Sequence, residues 1–158
     1  MKSRSILCAA LAAGLVSLTP LHADDAAVAA KLAKIPPAAA EALKKAAGTA
    51  KIDKVNIEKD GKTTVYEVEL VEAGQPAREV SVTADGKLNA EEETMPLDKL
   101  PEAVRKAIEA GAKGATIGRV NRIKRANGGL TYEAVYVTKG KKTEVEYLEG
   151  GKVKPEEK

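Results

Sequence analysis

The chain has 158 residues, with 26 Lys and Arg against 23 Asp and Glu, one His, one Cys, and neither Trp nor Phe. A formal charge of +3 is too small to argue for nucleic acid as a partner. A single Cys excludes an internal disulfide, and a single His leaves little for zinc binding or nucleophile activation.

Residues 1–23 read as an export signal. Lys2 and Arg4 precede the apolar run "ILCAALAAGLVSL", and "TPLHA" leads to a cut after Ala23. The run of 13 residues falls short of the roughly 20 needed to span a bilayer. Cys8 is not placed as a lipidated Cys, because Leu7 precedes it and most of the apolar run follows. Removal of the signal takes away Cys8 and His22, and with Lys2 and Arg4 gone leaves 24 basic against 23 acidic side chains. The remaining 135 residues have no thiol and no imidazole, and are long enough to bury a core without staples.

A first helix is expected over residues 25–34, capped by Asp24 or Asp25, with Val28, Leu32 and Ile35 on one side. Pro36-Pro37 opens a second helix, where a missing N–H costs little, and Gly48 ends it. Four strands follow: 51–59 and 63–72 around Asp60-Gly61, then 77–83 and 87–91 around Asp85-Gly86. Both Asp-Gly pairs predict type I′ hairpins. "PLDKL" allows one turn. Pro101 then opens a third helix through Val104, Ala107 and Ile108 that ends at Gly111. Turns at Asn127-Gly128, Gly140 and Gly150-Gly151 separate four more strands.

The second half answers the first. "IPPAAAEALKKAAGTAKIDKVN" (35–56) aligns with "LPEAVRKAIEAGAKGATIGRVN" (100–121) at an offset of 65. Beyond one inserted residue Tyr66-Glu67 matches Tyr132-Glu133, and Gly86-Lys87 matches Gly151-Lys152. The expected class is α+β, with two tandem repeats at 24–93 and 94–154 and a polar tail at 155–158. Each repeat is expected to place one or two short helices before a four-stranded antiparallel meander, the helices packing on one face of a shared sheet.

Alternation assigns the faces. Tyr66, Val68, Leu70, Val80 and Val82, with Leu130, Tyr132, Ala134, Tyr136, Val145 and Tyr147, belong under the helices. The recurring Tyr-Glu pair is therefore architecture rather than chemistry. The uncovered face should show Lys54, Asn56, Glu58, Glu67, Glu69, Glu79 and Ser81, then Glu133, Val135, Val137, Glu144, Glu146 and Leu148. Val135, Val137 and Leu148 are apolar where the pattern expects water, which can mark a protein contact. Glu67, Glu69, Glu133, Val135, Val137, Glu144, Glu146 and Leu148 are the candidate partner-binding residues.

The ordered elements "IPPAAAEALKK", "KIDKVNIEKDGKTTVYEVEL" and "VSVTADGKL", then "LPEAVRKAIEAGAKGATIGRV" and "YEAVYV", resemble the PepSY-like family of small exported bacterial proteins. That family's fold is similar to the β-lactamase-inhibitor protein. The resemblance covers about residues 35–153 and departs from the pattern at Tyr132-Glu133-Ala134 and at Gly150, where Asp is usual. It implies helix-plus-four-strand units joined in one sheet and a non-catalytic binding or inhibitory role, with peptidases the usual proposal. It carries over no site residues.

The expected function is an exported, non-enzymatic binding module that meets a protein partner in the envelope or outside the cell. No cofactor or metal is expected, since "DGKTT" and "DGKLN" lack the carboxylate spacing of a calcium loop. The alternative is a small-ligand or metal-ion binder using the acidic sheet. Glu67/Glu69 and Glu144/Glu146 alternate on strands as a solvated face does, which argues against paired acid–base catalysts. Lys139, Lys141 and Lys142 read as a solvated hairpin tip.

Overall fold

The computed structural model describes residues 25–155, so the export signal lies outside the described residues. Helices α1 (Asp25–Leu32) and α2 (Pro37–Ala47) precede strands β1 (Lys51–Asp60), β2 (Thr63–Val71), β3 (Arg78–Thr83) and β4 (Leu88–Thr94). A 3₁₀ turn (Leu97–Lys99) leads to α3 (Glu102–Gly111), β5 (Thr116–Arg125), β6 (Leu130–Thr138) and β7 (Lys141–Leu148). All seven strands form one antiparallel sheet in sequence order.

This sheet corrects the expected architecture of two tandem four-stranded meanders. β4 pairs with β5 from Ala90–Arg125 to Thr94–Asn121, so the sheet runs on through the middle without a break. On the helix side Arg122 reaches Glu93 at 2.6 Å, and Glu91 lies opposite Lys124. The expected eighth strand is reduced to a single bridge between Tyr147 and Val153. Pro155, which has no N–H to give a ladder, follows two residues later.

The helices cover one face and divide its core in two. Val28, Leu32, Ile35, Ala39 and Leu43 pack on Val55, Val68, Leu70, Val80 and Val82. Leu100, Val104 and Ile108 pack on Val120, Tyr132, Ala134, Tyr136 and Tyr147. Leu43 and Ile108 are fully buried, and truncating either to Ala costs about 2–5 kcal/mol. The two clusters share one packing device 65 residues apart. A methyl on Gly86 would lie 2.7 Å from Ala38 O, and one on Gly151 would lie 2.5 Å from Ala103 O. Each turn thus seats its glycine directly on a helix backbone.

The hairpins depart from the type I′ expectation. Gly86 N–H donates to Thr83 O and Thr83 N–H to Lys87 O, with positive φ at Gly86 alone. That is a type I turn closed by a left-handed glycine. Two consecutive positive φ values occur instead at Lys139 and Gly140, between β6 and β7.

Tyr66 is half-buried against the first cluster and Tyr132 is buried in the second. Tyr136 Oη donates to Ile108 O at 2.9 Å and lies 2.7 Å from Tyr147 Oη. Burial, then the bond to Tyr147, pushes the Tyr136 hydroxyl well above the usual phenol range. Gly111 was expected to end α3 by turning left-handed, but it is not among the glycines with positive φ. Its role is steric: a methyl there would lie 2.5 Å from Tyr147 Oη and 2.8 Å from Tyr136 Oη. Gly111→Ala is expected to cost about 1–3 kcal/mol in urea unfolding, as overpacked cores do. The cost should shrink in a Tyr147→Phe background, which removes the nearer hydroxyl; an equal cost in both backgrounds would refute the steric account.

Candidate functional site

Among the described residues no helix covers the other face of the sheet, yet much of it is shielded. Val65, Ala90, Ile123 and Val135 are buried there, and so are Glu67, Glu79, Ser81, Asn121 and Thr131. Long side chains lying across neighbouring strands provide the shielding. Arg119 on β5 reaches over β4 to Glu79 on β3, at 2.5 Å. Arg125 meets Glu146 at 2.8 Å, which Lys154 also meets at 2.9 Å. Thr131 Oγ1 donates to the same carboxylate.

The centre of this face is acidic. Glu67, Glu79 and Glu92 come from β2, β3 and β4, and each brings one carboxylate oxygen to within 4.8 Å of the others. Register explains this: Glu79 lies beside Glu69 and Glu92, and Glu67 beside Asn56 and Ser81. Asn56 Nδ2 reaches Glu67 at 3.4 Å, and Asn121 Nδ2 reaches Glu92 at 3.1 Å. Thr94 donates in turn to Asn121 Oδ1 at 3.1 Å, which fixes that amide's orientation.

The carboxyls respond to this crowding. Burial, then the charges of Glu58 and Glu79, pushes Glu67 up to about 8. Burial, then Glu92 and Glu144, pushes Glu133 up to about 7. Glu92 is raised by burial and by Glu79. Glu146 goes the other way: burial raises it, but Thr131, Lys154 and Arg125 outweigh that and hold it below the usual range. Three oxygens from Glu67, Glu79 and Glu92 are the kind of ligands a hard cation takes. Arg119 and Asn121 already engage two of those carboxylates, so the cluster is partly balanced from within.

The predicted residues divide into three groups. Glu67 and Val135 are buried; Glu69, Glu133, Val137 and Glu146 are half-buried; Glu144 and Leu148 are exposed. Val135 is therefore part of the shielded floor, not an open apolar contact. Glu69 is tied to Lys54 at 2.7 Å. Glu92, Arg119, Asn121 and Arg125 were not among the candidates. Asn121 and Arg119 stand 65 residues after Asn56 and Lys54, which alternation assigns to the uncovered face, so the internal alignment held the signal for both. Glu92 lies one residue past the expected end of β4.

No family model matches the chain, and no curated protein does. Solved structures do. A protein of Bacteroides eggerthii described as periplasmic superposes with a TM-score of 0.57 at 20% identity, covering 75% of this chain and 85% of that one. A DUF2874 family protein of Bacteroides ovatus gives 0.54 at 17% identity, covering 75% and 84%. A BLIP-like protein of Bacteroides fragilis gives 0.50 at 23% identity, covering 78% and 85%. The chain thus has a fold similar to the β-lactamase-inhibitor-protein-like structures. Among the described residues no helix is long and apolar enough to cross a membrane.

A carboxyl that binds its proton more tightly in the folded state costs stability as it ionises. For Glu67 the ordinary value is 4.5 and the folded value about 8, so folding stability should fall as pH rises through that window and level off above it. Glu67→Gln should flatten the slope and raise stability at pH 8 by about 1 kcal/mol or more, a few degrees in Tm, with little effect at pH 4.5. Thermal melts between those pH values check this, and an unchanged slope would refute it.

Proposed function

We propose that the protein is an exported, non-catalytic binding module that holds a partner protein against the helix-free face of its sheet. It acts in the periplasm or outside the cell, as an inhibitor or modulator of an extracytoplasmic enzyme. One observation carries the reading: that face is a built, charged surface. Glu58, Glu67, Glu69, Glu79, Glu92, Glu133, Glu144 and Glu146 outnumber Lys54, Arg119, Arg125, Lys142 and Lys154 on it.

The complementary partner is a basic surface. A Lys or Arg brought to this face favours the ionised form of glutamates that burial and neighbouring carboxylates push toward the protonated form. Exposed Leu148 and half-buried Val137 supply apolar contact at the two ends of the β6–β7 ladder, with Glu144 between them as a charged rim. Export is supported by the leader-like residues 1–23 and by the periplasmic description of a structural neighbour. An inhibitory role is supported by likeness to a BLIP-like protein and by the PepSY-like elements of the sequence.

The test is a binding and inhibition screen of the chain against purified extracytoplasmic β-lactamases and peptidases. A partner should bind less tightly as salt rises from 50 to about 300 mM, as screening requires. Glu144→Lys combined with Leu148→Lys should weaken it at least tenfold while leaving the circular dichroism spectrum unchanged. Binding indifferent to both variants would remove this face from the account.

A further inference from the structure

We infer that the outer edge of β1, from Val55 to Lys59, accepts an added antiparallel strand from a partner protein. From its N-terminal end the strand reads acidic, basic, apolar, hydroxyl-bearing, apolar. This site lies at the edge of the sheet, meets the charged face only at Asn56 and Glu58, and does not depend on the reading given for that face.

The molecule contains a template for the complex at its own seam. By the offset of 65, β1 corresponds in sequence to β5: Val55 to Val120, Asn56 to Asn121, Ile57 to Arg122 and Lys59 to Lys124. The outer edge of β5 is occupied by β4. There Met95 N–H donates to Val120 O at 2.8 Å, Thr94 Oγ1 donates to Asn121 Oδ1 at 3.1 Å, and Glu91 lies opposite Lys124. Among the described residues β1 is terminal in the sheet and pairs only with β2. On its outer side Val55 O is met by Lys31 Nζ at 3.4 Å, a long contact from a flexible side chain. That ammonium holds the place that the Met95 amide holds at the seam.

The side chains agree with the backbone. Lys31, Lys34, Ile35, Val55 and Ile57 line a shallow pocket of about 170 Å³, and Ile57 is 61% exposed. At the seam Met95 packs against the second core cluster, which contains Leu100 and Val120, the counterparts of Ile35 and Val55. An incoming apolar side chain therefore has a ready floor. Transferring the β4–β5 register to β1 sets an acidic residue opposite Lys59, a basic one opposite Glu58, an apolar one opposite Ile57 and a hydroxyl opposite Asn56. Lys59 also touches Thr64 Oγ1 at 2.5 Å. A second copy of β1 fits worse, because pairing about Ile57 sets Lys59 against Val55 and crowds two sets of Lys31 and Lys34. Strand addition of this kind draws affinity from main-chain bonds and specificity from alternate side chains.

The probe is a fluorescein-labelled nonapeptide with the sequence of residues 88–96 carrying E92K and E93V, titrated with the full chain by anisotropy. Saturable one-to-one binding is expected. Ile57→Lys should weaken it at least tenfold, and N-methylation of the peptide residue opposite Ile57 should abolish it. Glu144→Lys on the sheet face should leave it unchanged. No saturation at millimolar chain, or binding indifferent to N-methylation, would overturn the proposal. So would a chain dimer that Ile57→Lys dissociates, since the edge would then belong to a second copy.

Discussion

Five residue pairs between β4 and β5 turn two small helix-covered cores into one sheet. The balance of charge at the centre of the opposite face depends on that join. Glu67, Glu79 and Glu92 come from strands before it; Arg119, Asn121 and Glu133 come from strands after it. Without the seam, Glu79 would lose the guanidinium that neutralises it and Glu92 the amide that holds it. The first half brings the carboxylates and the second half the side chains that balance them, so the balance at the centre is a tertiary feature.

Much of the fold was legible because its signals are local and mutually consistent. Proline at the start of α2 and α3, glycine in each turn and strict alternation along "TVYEVEL" placed helices and strands within a few residues. Alternation also put the tyrosines under the helices. The seam was not legible, since nothing in the pattern of β4 states which strand lies beside it. The missing eighth strand follows from a tail with one apolar residue, Val153, ahead of Pro155. The turn type was misread because Asp-Gly serves equally at the end of a type I turn and at the centre of a type I′. Of the candidate site, the parity of Glu67, Glu69, Glu133 and Glu146 could be read, but their burial could not. Burial on an uncovered sheet arises from arginines and glutamates lying over their neighbours, a matter of reach rather than sequence order.

The two faces solve the problem of burial differently. Under the helices, apolar side chains are removed from water and the few polar atoms are paired, as with the Tyr136 and Tyr147 hydroxyls. On the open face the chain buries carboxylates next to one another and satisfies them unequally. Glu146, with three partners, stays ionised readily, whereas Glu67, with one long amide contact, holds its proton. Such unequal satisfaction is tolerated where a surface serves contact more than stability.

The distribution of aromatic residues has an optical consequence. The chain has four tyrosines and no tryptophan, and Tyr132, Tyr136 and Tyr147 all sit in the core beneath α3. With Tyr66 replaced by Phe, near-ultraviolet absorbance and fluorescence watch the α3 end of the molecule, while amide-region dichroism watches the whole sheet. Coincident transitions by the two probes would mean that the continuous ladder makes the halves melt together. Separated transitions would give the order in which they come apart, with no label added.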